Sequence, residues 1–156
     1  MDSAARQKGI VPAPVIVVFC LGGAWLAHHF YPVRVLPDLG VAAPILAIIV
    51  CASALAIGLA GVLEFHRHHT PTSPFRPTTA LVTSGVFRLT RNPMYLSFVL
   101  LTLGIAVATN SLAFLLAAGV LALLLQVAVI SPEERILSAH FGEAFESYRS
   151  RTRRWL

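Results

Sequence analysis

Residues 83–95 of the chain read Thr83-Ser-Gly-Val-Phe-Arg-Leu-Thr-Arg-Asn-Pro-Met-Tyr95, and the apolar stretch that follows, ending at Ile130, gives way to Ser131-Pro132-Glu133-Glu134. Between these polar segments lie two uncharged runs, Met94 to Thr109 and Ser111 to Ile130, divided at Asn110-Ser111, a pair suited to a tight turn. Two apolar helices joined by such a turn return the chain to the side it left. Arg91-Asn92-Pro93 and the two glutamates are therefore expected to meet at one membrane face.

The composition supports a lipid setting. Of 156 residues 56% are hydrophobic and 12% charged, with a mean hydropathy of +0.75, which places the chain among membrane proteins. Val11 to Phe30 and Val41 to Leu63 are uncharged like the later pair, and each run is near the length that crosses a hydrocarbon core of about 30 Å. The expectation is an all-α integral membrane protein of one domain over residues 1–156. Its four transmembrane helices span about 11–30, 41–63, 93–109 and 111–130. A cytoplasmic loop covers 64–92, and an amphipathic helix over about 132–150 lies on the cytoplasmic side. The third run, 16 residues or about 24 Å, is short, so it crosses where the bilayer thins or where Thr90 to Pro93 dips inward. A re-entrant hairpin is the alternative, and it too leaves the polar segments on one side.

Twelve Lys and Arg against seven Asp and Glu give a charge of +5, but the distribution argues against nucleic acid as a partner. Eleven of the twelve cations precede the first run, lie between the second and third, or follow the fourth; only Arg34 falls elsewhere. That asymmetry predicts a multi-pass protein of a bacterial or archaeal cytoplasmic membrane, with both termini cytoplasmic and the basic residues near anionic lipid headgroups. The first run is longer than a signal-peptide core, and no small-x-small cleavage site follows it. Cys20 and Cys51 lie within apolar runs and read as small apolar fillers.

Ala52, Ala56 and Ala60, with Gly61 alongside, suggest a close-packing face on the second helix. Pro71, Pro74 and Pro77 make the loop extended and turn-rich, an ordered wall for a site. Ile136, Leu137, His140, Phe141, Ala144, Phe145 and Tyr148 recur at three- and four-residue intervals, the pattern of an amphipathic helix that closes the cytoplasmic mouth.

Each motif also has a purely structural reading. Asn92 suits an N-cap, Pro93 the first helical position, Arg91 a snorkelling cation and Tyr95 the aromatic belt. Ser131-Pro132-Glu133-Glu134 reads as a capping box in which Glu134 reaches back to the Ser131 N–H, leaving Glu133 with no such use. Glu64, His66, His68 and His69 form a wet interfacial cluster, and no metal is assigned. G-x-G-x-x-G, Walker and G-x-S-x-G patterns are absent, so any nucleoside cofactor would bind to the membrane helices themselves.

Arg91-Asn92-Pro93-Met94-Tyr95, a hydrophobic span and then Glu133-Glu134 resemble the motif of the isoprenylcysteine carboxyl methyltransferase and phospholipid methyltransferase superfamily: Arg-(His or Asn)-Pro-x-Tyr, a span, Glu-Glu. The likeness runs from about Thr70 to Leu156 and takes in Thr70-Pro71, Leu81 to Gly85, Phe87-Arg88, Phe141-Gly142, Tyr148 and the basic tail. It implies methyl transfer from S-adenosylmethionine to a lipophilic, lipidated or membrane-associated acceptor. It further implies that Arg91, Asn92, Pro93, Tyr95, Glu133 and Glu134 bind the cofactor, with Arg91 and Glu133 also catalytic. The family more often has His at the position of Asn92, which favours a positioning role here. Carboxylate, phospholipid amine and small thiol acceptors stay open, and a non-catalytic membrane protein is the other class.

Overall fold

A computed structural model describes residues 11–37, 40–69 and 80–156. The expected loop prolines Pro71, Pro74 and Pro77, with Arg6, Lys8 and Arg76, lie outside the described residues. The described chain is helical, without strands: α1 (Ala13–Phe30), α2 (Ala42–Arg67), a 3₁₀ turn (Gly85–Arg88), α3 (Pro93–Thr109), α4 (Leu112–Phe141) and α5 (Glu143–Arg151). Three of these helices, α1, α2 and α4, are long and apolar enough to cross a membrane. The 17-residue α3, at about 25 Å, is shorter. It is nonetheless one unbroken helix lying along α2, from Gly104 beside Cys51 to Pro93 beside Gly61.

The apolar side chains face outward. Phe19 is 77% exposed, Leu55 64% and Val127 63%; in water such a continuous surface would drive association, whereas in lipid it meets its own kind. Along the seam of α2 and α3, what the helices turn toward one another is small. On α2, Ala47, Ala54 and Gly61 are buried, and Cys51 and Gly58 complete a stripe stepping by four and three residues. A Cβ on Gly104 of α3 would lie 2.4 Å from the Cys51 Sγ, and one on Gly58 would lie 2.8 Å from the Ser97 Oγ. The expected face of Ala52, Ala56 and Ala60 is therefore corrected. Ala52 and Ala56 are exposed, because two long helices pack along a seam with a 3.5-residue repeat, and a strict four-residue step drifts off it.

The helices neighbour one another in the spatial order α2, α3, α4, α1. The start of α1 (Ala13, Ile16) clusters with Leu121, Leu125, Val129 and Ile130 from the far half of α4, so the polar ends of all four lie together. At the other end Asn110 turns the chain in the left-handed region (φ 46°). Its side chain accepts from the Val35 and Leu36 N–H groups at 3.0 and 2.7 Å and donates to the Leu36 carbonyl at 2.9 Å, tying the α1–α2 connection to the α3–α4 turn.

No helix starts at Ser131. Helix α4 runs through that position for 30 residues, about 45 Å, and so projects well past a 30 Å core. Pro132, inside it, cannot donate and would crowd the carbonyl of Ala128. The turn over Gln126–Ile130 widens to a π-helix, in which the Ser131 N–H bonds to the Gln126 carbonyl five residues back and the Ser131 hydroxyl donates to the same oxygen at 2.7 Å. The single amphipathic helix expected over 132–150 is likewise divided. Its first half continues α4, and Gly142 (φ 53°) breaks the chain so that α5 folds back. Phe145 and Tyr148 of α5 then bury Val82 and Phe87 of the descending segment, with Phe65 of α2 against Phe87. The Tyr148 hydroxyl donates to the Phe87 carbonyl at 2.7 Å, and burial pushes this phenol above its ordinary range, keeping it a donor.

Because the Gly104 contact is backbone-close, Gly104→Ala is expected to lower stability by about 1–3 kcal/mol in thermal unfolding in detergent. Gly22→Ala, where nothing lies within 4 Å, is expected to leave it unchanged or raise it by up to about 1 kcal/mol.

Candidate active site

Pro93 opens α3 and is fully buried against Gly61 of α2, which fixes where the preceding three residues stand. These residues line up along the end of the chain. The Arg91 N–H bonds to the Arg153 carbonyl at 3.0 Å, while the Thr90 hydroxyl and the Asn92 amide both donate to the Arg154 carbonyl, at 3.1 and 3.0 Å. Asn92 therefore occupies the N-cap position without capping, since its side chain is committed to the C-terminal strap.

Arg91 neither snorkels nor projects into open space. Its side chain is 9% exposed, with Nη2 and Nε bonded to Glu134 Oε1 at 2.8 and 3.2 Å and Nη1 donating to the carbonyls of Arg149 (3.1 Å) and Thr152. Glu134 takes a second guanidinium on its other side: Arg154 meets it with a two-pronged fork, Nε to Oε1 at 3.1 Å and Nη2 to Oε2. The capping box is thus corrected. With no helix start at Ser131 there is no N–H for Glu134 to cap, and its structural work is to join two arginines.

Glu133, one residue earlier, has a different partner. Successive helical residues diverge by about 100°, and Glu133 points to α3, where the Tyr95 hydroxyl donates to its Oε1 at 2.7 Å. Tyr95 sits at the edge of the apolar cluster around Leu121, Leu125 and Ile130, and no Lys, Arg or His forms an ion pair with Glu133 among the described residues. One carboxylate of the pair is doubly neutralised; the other, among the described residues, is held by a phenol.

Of the six residues singled out from the sequence, the structure brings Arg91 to Glu134 and Tyr95 to Glu133, places Pro93 beneath them and turns Asn92 to the strap. Arg154, Thr90 and Trp155, whose indole donates to the Gln126 side chain at 3.0 Å, were not legible as partners. The basic tail gave a charge but no contact. Glu64 was read in a histidine cluster; its carboxylate accepts from Ser84 at 2.5 Å and Arg67 at 2.8 Å, and a Cβ on Gly85 (φ 57°) would lie 2.6 Å from it. It anchors the descending segment to α2. Among the described residues no group of three or more His, Cys, Asp or Glu could hold a metal ion.

Removing one partner from a buried ion cluster costs roughly 3–5 kcal/mol, less where a partner is partly solvated, as Arg154 is at 34% side-chain exposure. Glu134→Gln is accordingly expected to lower stability by about 2–3 kcal/mol in thermal unfolding, and Glu133→Gln by under about 1 kcal/mol. Equal losses would mean that the two carboxylates are not divided in this way.

The sequence profile of the family described as phospholipid methyltransferase matches residues 42–144. A curated relative, the cobalt-zinc-cadmium resistance protein CzcN of Cupriavidus metallidurans, is 39% identical over 77 residues, which is 49% of this chain and 35% of that protein. The matched part thus spans about a third of the relative's length. No solved structure matches the chain. The profile covers more than half of the chain, from α2 through the polar end of α4 and into α5, and the chain belongs to the phospholipid methyltransferase family.

Proposed function

We propose that the protein is an enzyme that transfers a methyl group from S-adenosylmethionine to a lipophilic or membrane-associated acceptor at the polar end of α3 and α4. In this reading all four helices cross the membrane and that end is cytoplasmic, as the distribution of basic residues favours. Family membership supports the reaction class, and the observation that carries the assignment is the Tyr95–Glu133 couple. A carboxylate held by a phenol, without a cation, where an apolar bundle meets its polar end, is a receptor for positive charge. S-adenosylmethionine offers a sulfonium, an ammonium and a ribose diol, each of which such a carboxylate and the adjacent aromatic face can hold.

When bound, the cofactor supplies an electrophilic methyl group open to direct displacement. The protein then needs to orient, exclude water and accept a proton. Glu133 and Tyr95 orient. Pro93 and the strap fix the start of α3 against α4, with Arg91, Asn92 and Glu134 positioning this joint. A carboxylate acceptor of the isoprenylcysteine type needs a cation such as Arg91 or Arg88; the Arg91 fork is committed to Glu134, which leaves the exposed Arg88. The commitment of Arg91, with Glu133 placed to take a released proton, supports an amine acceptor.

Binding of labelled S-adenosylmethionine to the purified full chain tests this. The parent is expected to bind, and Glu133→Gln and Tyr95→Phe to weaken binding at least about tenfold, roughly 1.4 kcal/mol, while stability changes little. A parent that does not bind, or variants with the parent's affinity, would refute the assignment.

A further inference from the structure

On the face of α4 turned away from Tyr95 lies a cavity of about 530 Å³ lined by Ser131, Glu134, Arg135 and Ser138 of α4, Arg149 of α5 and Arg154 of the strap. Three arginines and one glutamate are among the residues that line it. Glu134 is already shared between Arg154 and the buried Arg91, so that trio alone keeps a surplus positive charge. Arg149 has Glu146 at 3.4 Å, a pair in which both side chains are about half exposed and which contributes little. Arg135 is exposed and has no hydrogen bond or ion pair among the described residues. The serine hydroxyls are engaged elsewhere, Ser131 with the Gln126 carbonyl and Ser138 with Glu146, so the donors left to a ligand are the guanidinium N–H groups.

From this arrangement we propose that the recess is an anion site for a phosphate group. With the Arg154 fork taken up by Glu134, the forks left to a ligand are those of Arg135 and Arg149, and two such forks hold a tetrahedral, multiply charged oxyanion better than a single carboxylate, because each engages a separate pair of oxygens. The volume exceeds that of a lone ion and leaves room for the group that bears the phosphate. Its place beyond the apolar part of α4 puts it level with headgroups, and the same chemistry accepts a lipid headgroup phosphate or a soluble phosphate. The site is separate from the Tyr95–Glu133 couple and does not depend on methyl transfer.

The test uses the full chain in phosphatidylcholine nanodiscs. One arm titrates inorganic phosphate, followed by ³¹P line broadening; the other replaces a fifth of the lipid with phosphatidic acid and follows thermal stability. Binding in the first arm identifies a soluble ligand, and stabilisation in the second a lipid. In either arm the Arg135→Gln/Arg149→Gln variant is expected to lose at least about tenfold in phosphate affinity or most of the lipid-dependent shift. A charge-matched Arg88→Gln/Arg151→Gln variant, outside the cavity lining, is expected to keep both. Response in neither arm, or equal loss in the two variants, overturns the proposal.

Discussion

The shared carboxylate of Glu134 is the joint on which the polar end depends. It meets Arg91 from the start of α3 and Arg154 from the last residues of the chain, so one side chain of α4 gathers three separate stretches of sequence. Desolvating three charged groups is costly, and their mutual hydrogen bonds offset the cost only while all three are present. The backbone carbonyls of Arg149, Thr152, Arg153 and Arg154 are satisfied by donors from residues 90–92 in the same region. The strap is therefore built into the polar end of the bundle.

Lipid sets the other half of the architecture. Since hydrocarbon is as apolar as the side chains it surrounds, burial of large residues gives the helices little reason to associate, and close backbone approach supplies it instead. The stripe of Ala47, Cys51, Ala54, Gly58 and Gly61 against Ser97 and Gly104 is the result, and it brings α3 near enough for Pro93 to seat on Gly61. The close packing of α2 and α3 thereby sets the position of the residues at the start of α3.

The hairpin logic of the sequence was sound at the level of elements. Two uncharged runs with a turn at Asn110 do return Arg91 to Glu134, and the helix bounds of α3 follow from Pro93 and Asn110 themselves. What the sequence concealed was contact. Ser131-Pro132-Glu133-Glu134 carries every local sign of a helix start, and continuity was hidden because a π-turn, not an end, absorbs the proline. Arg154 and Asn92 carried no pattern that would join them, being 62 residues apart. Helix periodicity reports which face is apolar; it does not report which carbonyl a distant amide will find.

The wide turn over Gln126–Ile130 has a further meaning for the glutamate pair. An α-helix is a rigid screw, so the azimuth of every residue is ordinarily dictated by its distance from the first turn. A π-turn accommodates one additional residue and uncouples the two segments it joins. In α4 the lipid-matched segment can keep its phase against α1 and α3, while the segment bearing Glu133 and Glu134 is set to a phase of its own, one acid aimed into the bundle and its neighbour at the arginines. The joint works as a vernier, setting the aim of the two acids apart from the lay of the span.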